Sequence, residues 1–378
     1  MKIIGIICEY NPLHTGHAKQ IRYLKNTFDG CAVVCLMSGN YVQRGMPAII
    51  DKSLRAKAAV LSGADLVLEL PITCSLSSAE GFAAGGVKIL SGFCDRLCFG
   101  SETGDTAALM DTAKALLDAD FPVRLRTELA RGLSFPAARQ AALGESGALL
   151  KKPNDILAVE YCKAILSQKC AMQPLPIRRE GCYHAEIADI ENPSATAVRR
   201  LMCTRHDWKA YIPDAAQALF DGAALHDIHA GEQAILYRLR TMTDTEFEAL
   251  PYGSEGLWRK LMHAGRSCAT LEQVITAAKS KRYTRTRIDR MVMCAFLGIS
   301  EGTLSTPVPY TRVLAFNDIG RSVLKRARET GNFPNTGEKM DDPYQILEHR
   351  ADDLYGLFAV GAQENPGISD DRRVFCLR

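Results

Sequence analysis

Short apolar runs separated by polar turns dominate the first half of the chain. Their spacing predicts strands alternating with helices. Ile3-Ile4-Gly5-Ile6-Ile7 reads as a buried first strand, and residues 31–37, 65–70 and 97–99 repeat the pattern. Helical spacing fills the gaps. A helix opens near His17, and a second follows Asp51 with Ala56, Ala59, Val60 and Leu61 on its apolar side. Further helices are predicted over 77–90, 106–118, 121–150 and, with Pro153 near its start, 153–167. Residues 175–179 form a short strand ending in arginines, and Ser194 caps a helix that carries Arg199 one turn in. Continuous apolar strands alternating with helices predict an α/β, Rossmann-like fold: a parallel sheet covered on both faces. Such sheets bind ligands beyond the carboxyl ends of their strands. The turns at 14–17, 38–47 and 100–102 all lie at such ends and are expected to converge.

Beyond about residue 205 the pattern becomes mostly helical, with isolated strand-like pieces such as 311–316. The expected division is a catalytic unit over 1–208 and a mostly helical unit over 209–378. Residues 331–343, rich in Gly, Pro and Asn, read as a flexible loop.

A length of 378 residues fits two domains, and 47% hydrophobic with 24% charged residues is the composition of a soluble globular protein. A net charge of +3 implies no polyanionic partner by itself, so the distribution of charge matters more. The most basic stretch runs over 279–290 and includes Lys279, Lys281, Arg282, Arg285 and Arg287; a shorter cluster holds Arg321, Lys325, Arg326 and Arg328. The thirteen cysteines are odd in number, scattered and never spaced Cys-x-x-Cys. That argues against a disulfide framework or a zinc site and for a reducing compartment, the cytoplasm. No apolar segment approaches the length of a membrane span.

Candidate chemistry centres on His14-Thr15-Gly16-His17, at the junction of the first strand and first helix. Backbone N–H groups and two imidazoles there suit a phosphate. The working hypothesis is that ATP places its α-phosphate near His14 and His17, where nucleotidyl transfer builds negative charge. The bland alternative is a polar turn. Ser194 and Thr196 offer hydroxyls and Arg199 a cation for the β- and γ-phosphates, although an ordinary capped helix has the same pattern. Gly100 at a strand end permits close approach or merely makes a turn. Asn154 either reaches adenine or ribose or caps a helix. Lys19 either reaches a phosphate or sits on the surface. Gln43 and Arg44 lie on a loop placed to close over a substrate or simply solvated. The basic stripe suits RNA phosphates, with Tyr283 as a base-stacking ring; the alternative is a solvated helix face.

Several stretches together resemble the tRNA(Met) cytidine acetate ligase family. They are Glu9-Tyr10-Asn11-Pro12-Leu13-His14-Thr15-Gly16-His17, Ser38-Gly39-Asn40-Tyr41-Val42-Gln43-Arg44-Gly45, Gly63-Ala64-Asp65-Leu66-Val67-Leu68-Glu69-Leu70-Pro71, Phe99-Gly100-Ser101-Glu102, Lys152-Pro153-Asn154 and Lys281-Arg282-Tyr283-Thr284-Arg285-Thr286-Arg287. The resemblance spans essentially the whole chain. It implies a nucleotidyltransferase-like domain followed by an RNA-facing helical region. The implied reaction converts ATP and acetate to acetyl-adenylate, then acetylates N4 of the wobble cytidine of elongator tRNA(Met). ATP contacts then fall on Ile7, Cys8, Glu9, Tyr10, Asn11, Pro12, Leu13, His14, Thr15, Gly16, His17, Ala18, Lys19 and Gln20, on Gly100 and Asn154, and on Arg179, with Arg178 adjacent. Magnesium is expected on the triphosphate, with no dedicated carboxylate cage. Leu13, Tyr41 and Met46 depart from the commonest family residues, and Met46, which replaces a usual acid, is given no role. Two rival readings remain: a nucleotidyltransferase acting on a small phosphate ester, and a non-catalytic RNA-binding protein.

Overall fold

The computed structural model describes residues 1–179, 193–204, 206–305, 310–329, 343–361 and 374–377. The expected loop at 331–343 lies outside these residues except for Pro343, which opens a helix, Pro343–Tyr355.

The first half alternates as its pattern predicts. Strand β1 (Ile3–Cys8) leads to helix α1 (Thr15–Thr27), then β2 (Ala32–Ser38) and a small hairpin of β3 (Tyr41–Val42) and β4 (Met46–Pro47). Next come α2 (Lys52–Leu61), β5 (Leu66–Leu70), a short α3 (Ile72–Ser75), α4 (Ala79–Leu90), β6 (Arg96–Ser101) and α5 (Thr106–Leu117). The expected single helix over 121–150 is broken into α6 (Phe121–Ala130), α7 (Phe135–Ala142) and a 3-10 segment, Gly144–Lys151. Gly132 and Gly144 take positive φ at the breaks, ending one helix and diverting the next. Then follow α8 (Pro153–Ser167), β7 (Gln173–Arg178) and α9 (Ala195–Cys203).

Strands β7, β6, β1, β2 and β5 are parallel neighbours in that order. Residue alternation along them fills two cores. Ile3, Val34, Leu36, Leu66 and Leu68 pack with Phe82, Val87 and Tyr161 of α4 and α8. Ile4, Ile6, Val33, Cys35 and Val67 pack on the other face with Ile21, Leu24, Ala59 and Val60 of α1 and α2. The cysteines in these strands are therefore core residues, and burial pushes the Cys98 thiol up to about 12.

The sheet does not end at residue 208. Strand β8 (Val313–Phe316) returns from the second half and pairs antiparallel with β5, and β9 (Phe375–Cys376) pairs parallel with β8. The region after 208 is otherwise mostly helical, around a third core built on Leu236, Leu239, Leu261, Ile288 and Met291. Tyr41, Ile72 and Leu76 of the first half belong to that core, and Met46 packs on it. A cut at 208/209 would thus separate β8 and β9 from their sheet.

A buried ionic cluster ties the returning segment down. Lys52 bonds Glu69 at 3.0 Å and also Asp352, and Arg312 bonds Glu69 at 2.7 Å, Asp352 at 3.0 Å and Glu348 at 3.3 Å. Three carboxylates thus share two cations. Burial and the neighbouring Glu69 push Glu348 up to about 7. The cluster should respond sharply to loss of one partner. Lys52→Met removes one of the two cations that the buried carboxylates Glu69, Glu348 and Asp352 share, and should cost about 3–5 kcal/mol. Urea unfolding measures this, and a loss under ~1 kcal/mol would contradict it.

Candidate nucleotide site

The loop between β1 and α1 is fixed from three sides. Arg55 donates from Nη1 to the Glu9 carbonyl at 2.6 Å. The Ile49 N–H donates to Asn11 Oδ1 at 2.8 Å, and Arg199 Nη1 donates to the Asn11 carbonyl at 2.7 Å. Tyr10 takes a left-handed φ of 45° within this loop, with its side chain in the core. The helix opens at Thr15 rather than at His17. His14 is the N-cap, and its carbonyl accepts from the N–H groups of His17 at 2.9 Å and Ala18 at 3.2 Å.

The two imidazoles are stacked, with centroids 3.6 Å apart and planes 22° apart. The Tyr10 ring lies 4.8 Å from His17. The backbone N–H of His14 donates to His17 Nδ1 at 3.2 Å, which leaves the His17 proton on Nε2. His14 Nδ1 is buried and has no hydrogen-bond partner among the described residues. The glycine of the motif has a steric reason: a Cβ on Gly16 would stand 3.1 Å from two atoms of the His14 ring.

Burial first, then the positive charges of Arg179 and Arg199, pushes His14 down to about 3. His17 is also pushed well below the ordinary histidine value, by burial, His14 and Arg179. Both rings are neutral at physiological pH. Positive charge at the site therefore belongs to the arginines.

Arg179 lies across Gly100, where a Cβ would come within 2.6 Å of its Cδ, and its Nη1 donates to Asn154 Oδ1 at 3.4 Å. Arg178 instead packs beside Gly104. The structure thus brings Gly100, Asn154 and Arg179 together, in electrostatic reach of His14 and His17. Ser194 caps α9 by accepting from Ala197 N–H at 3.1 Å, and Thr196 Oγ1 accepts from Arg199 Nη2 at 3.2 Å. Other expected ATP contacts are constrained. The side chains of Ile7, Leu13 and Ala18 are buried in the core, so only their backbone is available to a ligand. Gln20 Nε2 donates to Cys98 Sγ at 3.3 Å, and Lys19 is exposed.

The basic stripe requires one correction. Tyr283 is no stacking platform: it is 4% exposed and its hydroxyl donates to the Glu255 carbonyl at 2.6 Å. Arg282 is paired with Glu255, Arg285 with Glu272, and Arg287 donates to the Tyr252 carbonyl. Lys279 and Lys281 are exposed. The hairpin β3–β4 joins this region to the site. Gln43 N–H donates to Glu9 Oε1 at 2.9 Å, while a Cβ at Gly45 would come within 2.5 Å of the Asp289–Arg290 backbone.

Sequence reasoning missed Arg55 and Glu102. Arg55 stands with Lys52 on the alanine-rich buried face of α2, a signal readable as buried charge that needs acceptors. Glu102 sits in a turn and carries no local signal; its partners, Asn154 and Asp155, lie on α8.

An HxGH turn after the first strand of a parallel α/β sheet, beside two arginines, defines a nucleotidyltransferase. Residues 1–367 match the family model described as HIGH Nucleotidyl Transferase. A tRNA(Met) cytidine acetate ligase of Clostridium novyi (strain NT) is 37% identical over 88% of this chain and 89% of its own length. One of Clostridium acetobutylicum is 35% identical over 88% and 89%. The crystal structure of apo TmcAL of Thermotoga maritima superposes with a TM-score of 0.92 at 28% identity, covering all of both chains. The form bound with alpha-thio ATP gives 0.88, also at 28% identity over both full chains. The chain belongs to the tRNA(Met) cytidine acetate ligase family and is an ATP-dependent ligase.

The neutral imidazoles make a pH prediction. Below the ordinary histidine value of 6.5 the unfolded chain takes up a proton at His14 that the folded chain refuses until about 3. Stability from this site is therefore complete above 6.5 and falls as pH drops from 6.5 toward 3. Unfolding free energies measured at pH 7.5 and pH 5 should show that loss, and His14→Gln should reduce it. Ring resonances of His14 should stay constant between those pH values; titration near 6.5 would refute the neutral pair.

Proposed function

We propose that ATP lies over the His14–Thr15–Gly16–His17 turn with its α-phosphate at the two imidazoles. The observation that carries this reading is the stacked, neutral histidine pair with a buried, unbonded His14 Nδ1 beside Arg179 and Arg199. His17 Nε2–H points to one donor for the charge that builds on the α-phosphate oxygens. Arg179 and Arg199 offset the triphosphate charge. Ser194, Thr196 and the N-terminus of α9 face the β- and γ-phosphates, and Gly100 and Asn154 line the nucleoside side.

An acetate oxygen attacks the α-phosphorus in line. The bond to the β-phosphate breaks and pyrophosphate leaves. N4 of the wobble cytidine of elongator tRNA(Met) then attacks the acetyl carbonyl, AMP departs, and the amine loses a proton. No thiol participates, in keeping with the burial that pushes thiols such as Cys98 up to about 12. Among the described residues no group of three or more His, Cys, Asp or Glu side chains stands together as a metal cage. A magnesium ion would arrive on the triphosphate, held by phosphate oxygens and water, since the histidines and arginines here are not ligands for it. No helix among the described residues is long and apolar enough to cross a membrane. We place the reaction in the cytoplasm, where tRNA is found.

The tRNA approaches along the helical half. Lys279 and Lys281 meet backbone phosphates, joined by Arg282, Arg285 and Arg287 where RNA displaces their present partners. The β3–β4 hairpin, held between Glu9 and the helix Arg285–Leu297, connects that surface to the reacting atoms.

Two measurements test this. Protein, ATP, labelled acetate and tRNA(Met) should give labelled tRNA, and His14→Ala should slow labelling about 100-fold. Pyrophosphate release with no label on tRNA would overturn the acceptor; unchanged labelling in His14→Ala would overturn the site. Lys279→Ala with Lys281→Ala should weaken tRNA binding and reduce its salt slope by roughly one to two. Unchanged binding would place the RNA elsewhere.

A further inference from the structure

The turn after β6 and the start of α8 form a small hydrogen-bonded system beside Arg179. Pro153 is the first helical residue of α8 and has no N–H, and the N-cap residue Lys152 makes no side-chain cap bond. The next two N–H groups both go to Glu102. Its Oε1 accepts from Asn154 N–H at 3.2 Å, and its Oε2 accepts from Asp155 N–H at 2.8 Å. Glu102 thus caps α8 from another element. It also does something capping does not require. Its Oε1 accepts from the Asn154 side-chain Nδ2 at 2.8 Å.

A carboxylate only accepts hydrogen bonds, so it dictates which end of the Asn154 amide faces it. With Nδ2 turned to Glu102, Oδ1 is turned away. Oδ1 is the atom that accepts from Arg179 Nη1 at 3.4 Å. Gly100 leaves the room through which Arg179 crosses, since a Cβ there would stand 2.6 Å from its Cδ. The turn carrying Glu102 is itself fixed: Gly104 N–H donates to Ser101 Oγ at 2.9 Å, and Thr103 N–H donates to Asp155 Oδ1 at 3.2 Å. Asp155 is fully buried.

We propose that Glu102 is a positioning residue for the nucleotide site, acting through the Asn154 amide to set the place of the Arg179 guanidinium. This rests on the reading that Asn154 and Arg179 meet ATP. A neutral amide at position 102 has a donor as well as an acceptor. It permits Asn154 to flip, which presents Nδ2 to Arg179 and takes the Oδ1 acceptor away from its Nη1.

The test is a double-mutant cycle read by titration calorimetry with ATP, alongside thermal unfolding of each variant. Glu102→Gln should weaken ATP binding about tenfold, as expected for loss of a hydrogen bond to a charged group. Asn154→Ala should weaken it by a similar factor. The double variant should be no worse than Asn154→Ala alone, because Glu102 then has nothing to orient. Glu102→Asp, which keeps an acceptor-only group, should recover part of the affinity. A role in capping alone predicts otherwise: Glu102→Gln lowers the unfolding midpoint while ATP affinity stays within twofold, or the two losses multiply. Either result overturns the proposal. If Asn154→Ala and Arg179→Ala both bind ATP as tightly as the unaltered chain, the placement of the nucleotide fails, and Glu102 loses its role with it.

Discussion

The edge of the sheet that carries the histidine turn depends on one buried guanidinium. Parallel strands end by releasing carbonyls that have no further ladder partner, and here β1 and β2, paired as far as Cys8 and Met37, open into the loops that follow them. Arg55, fully buried, donates to four of the carbonyls around that opening: Ile50 at 2.7 Å, Glu9 at 2.6 Å, Ser38 at 3.2 Å, and Gly39. Leaving those groups dry and unpaired would cost on the order of 1–3 kcal/mol each. A planar fork of five N–H donors is the side chain that satisfies several carbonyls at once. The loop leading to His14 is therefore held from beneath by α2, before any nucleotide arrives.

The second half of the chain completes this edge as well as approaching it. Asn40, just past the end of β2, accepts from Lys52 N–H at 2.8 Å and donates to Asp352 at 3.1 Å. Tyr41 donates to the Ala351 carbonyl at 3.0 Å, and Tyr355 donates to the Ala48 carbonyl at 2.7 Å. Helix Pro343–Tyr355 thus grips both flanks of the β3–β4 hairpin. The ionic cluster below fixes the same helix to β5 and to the residues entering β8. Such clusters contribute little net stability, because desolvation offsets the attraction. What they do give is register: the acids on this helix fit the two cations in one placement only. Any RNA held by the helical half is consequently held at a defined distance from Glu9 and the histidines.

How much of this the sequence revealed follows from the range of each interaction. The strands, the Asp51 and Ser194 caps and the helix after Pro153 rest on local periodicity and local bonds, and all appear as read. The histidine turn is local too, apart from the placement of His14 as cap. The return of β8 was visible only as an isolated apolar piece, since its partner lies more than two hundred residues earlier. Arg55 and Lys52 look like surface residues by type and become interior ones only through tertiary contact, and the half-buried Glu102 finds its partners only on α8. Tyr283 failed in the opposite direction. An aromatic ring amid arginines suggested a stacking surface, yet Lys260 and Arg287 lie over that ring because it belongs to the helical core.

The neutrality of the histidines then becomes part of the chemistry. Two imidazolium rings with centroids 3.6 Å apart would repel by roughly 4–5 kcal/mol at an effective dielectric near 20. Arg179 and Arg199 add to that repulsion, so the empty site cannot hold two protonated rings. On the proposed reading a triphosphate offsets only the arginine charge, while burial, the larger cause, keeps both rings depressed. Full positive charge in the empty site would favour the ground state of ATP as much as its transition state, which lowers no barrier. On the proposed reading, neutral rings, with the His17 tautomer set by the His14 N–H and arginines on separate elements behind them, reserve their strongest interaction for the reacting phosphate.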